Sequence, residues 1–276
     1  MRSSRARPTA EPGEGGDLQL WLTVRDRQCR LSPEWALQTL DEAAGFLRDR
    51  GMLTLSPDSW LPSLFQACHE EPYSPHARGF GGWPRTKFVW AGQLGARPDV
   101  TVTKLHRGKL LYVAAALRPT LGALCCKSAD EAARGALGSD AARAMDLLSE
   151  GPLLLEQIHA GGLTDKRLRR ARAVLERTGA VFTEEVRLEG RDGRHRHTAR
   201  LTRADQLLAA EGPSVDWEEG LMELLVAAVR SAVVAPVRDA SRWFSLPIGN
   251  EVIGRAVRSG RVVEPETGWI AFPQRS

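Results

Sequence analysis

Cysteine is scarce in this 276-residue chain: four residues, Cys29, Cys68, Cys125 and Cys126, with no CxxC spacing. That spacing argues against a disulfide scaffold and for reduced, mostly buried thiols, the expectation for a cytoplasmic protein. Long hydrophobic runs are missing as well. The longest, LLVAAVRSAVVAPV, is interrupted by Arg230 and is too short to cross a bilayer. The opening MRSSRARPTAEPGEGG has no apolar stretch of the kind a secretory signal needs. No P-loop, dinucleotide fingerprint or Gly-x-Ser-x-Gly elbow occurs, and GFGG alone is too weak to make a phosphate loop. Charge of one sign is also modest, at a formal +4.

The distribution of that charge carries more than its sum. Twelve Lys/Arg stand against six Asp/Glu between Gly161 and Arg203, a surplus larger than that of the whole chain. A positive excess confined to one short segment is what a phosphate-contacting surface requires. With 42% hydrophobic residues there is ample material for a core.

Along the chain, residues 1–16 read as a disordered tail rich in Pro, Gly, Arg and Glu. A first unit spans 17–126. Ser32-Pro33-Glu34 has the form of a helix start, and Trp35, Leu37, Leu40, Ala44 and Leu47 form a stripe that ends at Gly51. GFGGWPRTKFVWAGQLGARPDV reads as a loop, TVTKL as a strand, and CKSADEAARGALGSD (within it a linker over 127–139) as a polar connector or short helix. The second unit, 140–210, is the clearest: helices over DAARAMDLLS, LLLEQIHA and Asp165 to about Thr178, then two strands around Arg191-Asp192-Gly193. The third, 211–276, repeats that order. Together these predict a mainly α fold with small β-hairpins (α+β), built as tandem winged helix-turn-helix modules. The first unit is a winged-helix-like module on the same pattern.

The third helix of the central unit is the element that would dock in a DNA groove. Leu168, Ala171, Val174 and Leu175 make its core-facing seam, and Lys166, Arg167, Arg169 and Arg170 fall largely opposite. The hairpin adds Arg191, Arg194, Arg196 and Arg200 as candidate phosphate contacts. In the first unit, Arg85 and Lys87 flank Trp83 and Trp90, rings that could stack on a base or pack in the core.

Several stretches resemble the helix-turn-helix DNA glycosylase superfamily, tandem winged-helix proteins whose characterised members excise bulky alkylated bases and unhook interstrand crosslinks. These are GFLRDRGMLTL, SWLPSLFQA, FVWAGQL, KLHRGKLLYVA and LLSEGPLLLEQI, and the likeness covers about residues 30–275. The resemblance is closest to relatives without the family's Gln-x-Gln motif, whose glutamines position substrate and water. No Gln-x-Gln occurs here, and by rough position Met52-Leu53-Thr54-Leu55 stands in its place. Other candidate acids for such chemistry are Asp58, Glu70 and Glu71, which read equally as a solvated acidic loop. His195 and His197 have no paired cysteine or third ligand nearby, so no metal and no cofactor are expected. Three readings stay open. The first is a cytoplasmic, nucleoid-associated binder of double-stranded DNA serving repair or protection against alkylation and crosslinks; whether it is an enzyme is left undecided. The second is an active glycosylase, and the third a winged-helix regulator or protein-interaction adaptor.

Overall fold

The structure, a computed structural model, describes residues 18–70, 85–189, 195–208 and 216–273, with the backbone alone at 85–88. Helix α1 (Leu18–Gln28) comes first and is followed by a single 3-10 turn, Pro33–Trp35. The stripe expected to run as one helix from Ser32 is broken there. Helix α2 (Leu40–Arg50) starts afresh where the Thr39 hydroxyl accepts from the Glu42 N–H, and it ends at Gly51, at φ 88°. Strand β1 (Met52–Thr54), α3 (Leu64–Cys68) and α4 (Arg85–Gly95) follow. The segment holding α4 was expected to be a loop. Its glycines are outweighed by Ala91 and Leu94, which bury one helix face in the first unit's core.

Strands β2 (Val100–His106) and β3 (Lys109–Ala114) close that unit as an antiparallel hairpin, with β3 between β1 and β2. The hairpin turns on two residues, Arg107 at φ 54° and Gly108 at φ 79°. Two successive positive φ values give the turn whose twist matches the paired strands.

Helix α5 (Arg118–Ala133) runs into the segment expected to be a polar connector or short helix and takes its first half, to Ala133. Leu121, Cys125, Ala129 and Ala132, three or four residues apart, keep one face buried to its end. The central unit then reads α6 (Ser139–Leu147), β4 (Leu153–Leu154), α7 (Leu155–Ala160), α8 (Asp165–Thr178), β5 (Val181–Glu189) and β6 (His195–Arg203). Strand β6 lies between β4 and β5, and the β5–β6 ladder runs unbroken from Val181↔Arg203 to Glu189↔His195.

After α9 (Ala204–Leu208) the order recurs as α10 (Trp217–Ala232), β7 (Val234–Pro236), α11 (Val237–Ala240), α12 (Asn250–Arg258) and β8 (Trp269–Ala271). A single bridge, Val263↔Ala271, stands where the other units have a full strand. Each unit is therefore helix, strand, helix, helix and hairpin, with the last strand central. The fold is α+β, a tandem of winged helix-turn-helix units.

The core does not stop at the unit boundaries. One cluster reaches from Met52 and Leu105 through Leu124 and Leu175 to Trp243 and Ile270. The first unit's hairpin is consumed in this packing. His106, 0% exposed, faces acceptors with both ring nitrogens: the Trp243 carbonyl at 2.8 Å and Asp58 Oδ1 at 3.0 Å. Arg107 donates to the Arg242 carbonyl at 2.6 Å and to Asp239 Oδ1 at 3.0 Å. Asp239 Oδ2 in turn accepts from the Trp243 indole at 2.7 Å and from the Trp60 N–H at 2.9 Å. A hairpin held in this way is a clamp between the first and last units, although the turn residues Arg107 to Lys109 stay exposed.

Candidate nucleic-acid interface

Helix α8 presents three faces. The seam of Leu168, Ala171 and Leu175 is buried, each leucine contributing roughly 2 kcal/mol, while Val174 is half-buried at its margin. The polar positions then divide by angle, since residues three and four apart share a side. Arg167 turns toward α6, where its Nε lies 2.9 Å from Asp140 Oδ1. That bond holds the Asp140 carboxyl below its ordinary value.

The second polar side carries Arg169, Arg172 and Glu176. Glu176 was one of six acids in the basic segment, and nothing in its neighbourhood distinguished it. It is nevertheless buried, at 8% side-chain exposure, and accepts from Lys104 of β2 at 2.7 Å, Arg172 at 2.7 Å and Thr183 at 2.6 Å. Burial alone would raise its pKa; the three donors outweigh that and lower it. Arg172 is thereby committed to the fold.

The third side faces solvent with Lys166, Arg170 and Arg177. These three and Arg169 are exposed, and none has an ion-pair partner among the described residues. Arg177 belongs with this set although the sequence reading passed over it. The hairpin of the same unit differs. Arg196 pairs with Glu156 at 2.9 Å, Arg200 with Glu184 at 3.4 Å and His197 with Glu185 at 2.6 Å. Its tip residues Arg191 and Arg194 lie outside the described residues, as do Trp83 and Glu71.

Between the first and central units lies an open cleft of about 1690 Å³. One side is α4, β2 and β3; the other is α7, α8, β5 and β6, with Leu207 and Leu208 of α9 also on the border. Arg169 and Arg172 reach it, whereas Lys166, Arg167 and Arg170 do not line it. Arg85 and Lys87 sit in the first turn of α4, with side chains outside the described set. Trp90 packs against the first unit's core and does not line the cleft.

The candidate acids fall elsewhere. Asp58 is tied to His106 and to Lys109 away from the cleft. Partial burial would raise its pKa, but the hydrogen bonds from His106 and Lys109 outweigh this and bring it to about 2. Glu70 follows the end of α3, half-buried and outside the cleft lining. Met52 to Leu55 are all buried, and the Thr54 hydroxyl, the one polar side chain among them, is bonded to the carbonyls of Ser56 and Pro62. Of the four, Leu55 borders the cleft. Among the described residues no three His, Cys, Asp or Glu side chains converge as a metal site would require. No described helix is long and apolar enough to cross a membrane.

No protein-family model matches the chain, and no curated protein matches it in sequence. Among solved structures it is similar to a DNA glycosylase, AlkZ, of Streptomyces sahachiroi. The TM-score is 0.51 at 12% identity, over 93% of this chain and 70% of that one. At this identity the likeness is one of fold.

Proposed function

We propose that this chain binds double-stranded DNA through α8 and serves DNA repair or protection against alkylation and crosslinks, at the nucleoid of the cytoplasm. The observation that carries the reading is that Lys166, Arg169, Arg170 and Arg177, on the third helix of the central unit, have no ion-pair partner among the described residues. Exposed cations elsewhere on that unit are mostly answered by a carboxylate; these four are left for an external anion. The fold likeness to a DNA glycosylase supports repair as the setting.

Base excision is not part of this reading. Where the resemblance would place the Gln-x-Gln motif, the chain has a buried apolar strand whose single hydroxyl is already bonded. Duplex binding measured against salt tests the proposal. A log–log slope of about −0.9 per neutralised phosphate is expected, together with loss of most of it when the four α8 cations are changed to Ala. A flat slope in the unaltered protein would instead favour the regulator or adaptor reading. Incubation with alkylated duplex, read for released base and abasic sites, separates this binding reading from that of an active glycosylase.

A further inference from the structure

The two sides of the cleft differ in kind. On the first unit's side, α4 exposes Val89 and Gly92, Ala96 is exposed just past its end, and Leu110 and Tyr112 of β3 line the floor. The two cations on this side are occupied: Lys104 with Glu176, Arg118 with the Thr101 hydroxyl and the Pro98 carbonyl. The central unit's side bears Arg169, Arg187, His159 and His197, and its acids are answered in place. Asp165 is paired with His159, Glu185 with His197, Glu184 with Arg200 and Glu156 with Arg196. Arg187 meets His195 at 3.0 Å, and Arg169, on the helix already argued to meet nucleic acid, has no partner among the described residues.

The apolar side is not a closed core. Val89 on that side is 57% exposed, and Leu207 of α9, at the cleft's border, is 49% exposed. A duplex turns phosphates outward on both of its flanks, so one strand's charges would lie against the face of Val89 and Gly92, where among the described lining residues the cations, Lys104 and Arg118, are already engaged. An unpaired strand separates the two chemistries, with phosphates along one edge and base faces along the other.

We propose that the cleft between α4 and α8 takes an unpaired nucleic-acid strand, phosphates toward Arg169 and bases toward Val89 and Leu207. This rests on the reading of α8 as a nucleic-acid contact and adds which form of nucleic acid enters the cleft beside it. Duplex would be held on the Lys166–Arg170–Arg177 side, and the opened strand would be received on the Arg169 side.

Gly92 makes the test clean. It lies in the middle of α4, and a Cβ built there has no heavy atom within 4 Å, so Gly92→Glu adds bulk and negative charge to the cleft without a clash. Fluorescence anisotropy would be measured with a thymidine oligomer of about twelve nucleotides, within the site sizes common for strand-binding folds, and with a duplex of equal length. The expected result is that Gly92→Glu weakens the oligomer by roughly tenfold or more while duplex affinity stays within about twofold. Val89→Ser should weaken the oligomer in the same direction, and Arg170→Ala should act on the duplex instead. An unchanged oligomer affinity in Gly92→Glu, or equal loss for both ligands, overturns the proposal. Duplex binding without any oligomer binding overturns it while leaving the α8 reading intact; binding of neither ligand overturns both.

Discussion

Lys104 and Glu176, 72 positions apart, meet at 2.7 Å across the seam between the first and central units. The carboxylate is also the hub for Arg172 and Thr183, so one buried acid fixes the angle of α8 against β2. Lys104 also lines the cleft, so this joint stands at its border. A carboxylate so placed pays its desolvation cost through three donors, and losing it would strand two cations in a partly buried site.

Glu176→Ala should therefore destabilise the protein by about 3 kcal/mol in urea unfolding, near the lower end for a broken buried pair. Lys104→Met should cost less, and the double variant less than the sum of the two, because each single variant already breaks the same pair. Additive losses would show that the joint contributes nothing as a pair.

The Asp58 carboxylate gives the fold an acid limit. Its folded pKa of about 2 lies below the ordinary 3.8, so the stabilisation is complete above that ordinary value. It is lost as the pH falls through roughly 4 to 2, and the window corresponds to about 2 kcal/mol. Asp58→Asn should be less stable than the unaltered protein at neutral pH, with the gap closing across that window. A gap of constant size from pH 6 to about 2 would mean that the His106–Asp58–Lys109 contact does not depend on the charge of Asp58.

Gly179 ends α8 at φ 76°, and a Cβ there would lie 2.6 Å from Cys125 Sγ and 3.0 Å from Leu105 Cδ2. Both the left-handed backbone and the contact with α5 and β2 exclude a side chain. Gly179→Ala should lower stability by about 2 kcal/mol or more, read as a fall in the thermal midpoint. Gly92→Ala, inside α4 with open space around the added Cβ, should instead hold or slightly raise the midpoint through helix propensity; a similar fall there would mean that the loss at Gly179 is not specific to its backbone and packing.

What could be read from the sequence was local. The spacing of Leu168, Ala171 and Leu175 placed α8 and its buried face, and Asp192-Gly193 between two alternating runs placed the β5–β6 hairpin. Helix α4 could not be read in the same way. Gly92 and Gly95 argue against a helix, and the burial of Ala91 and Leu94 that overrides them depends on partners in α2 and α3. The site was legible in residue type but not in use. Arg167 and Arg170 look alike in the sequence, and Asp140, which separates them, belongs to another helix. Asp58 read as a loop acid because its partners, His106 and Lys109, come from a hairpin some fifty positions on.

That difference between two arginines supplies the sharpest check on how α8 meets DNA. Arg170 is exposed and makes no ion pair among the described residues, acting on Asp140 only through its charge, whereas Arg167 is bonded to it. If phosphates lie along the Lys166–Arg170–Arg177 side, Arg170→Ala should reduce the salt slope of duplex binding by about one. Its stability should stay within about 0.5 kcal/mol of the unaltered protein, as for an ordinary surface change. Arg167→Ala should leave the slope unchanged, because that guanidinium is turned to α6 and its exposed pair contributes little to the fold. Equal loss of slope in the two variants would require Arg167 to leave Asp140 for a phosphate. The DNA would then cross the α6 side of the helix, and the cleft would lie behind the bound duplex instead of beside it.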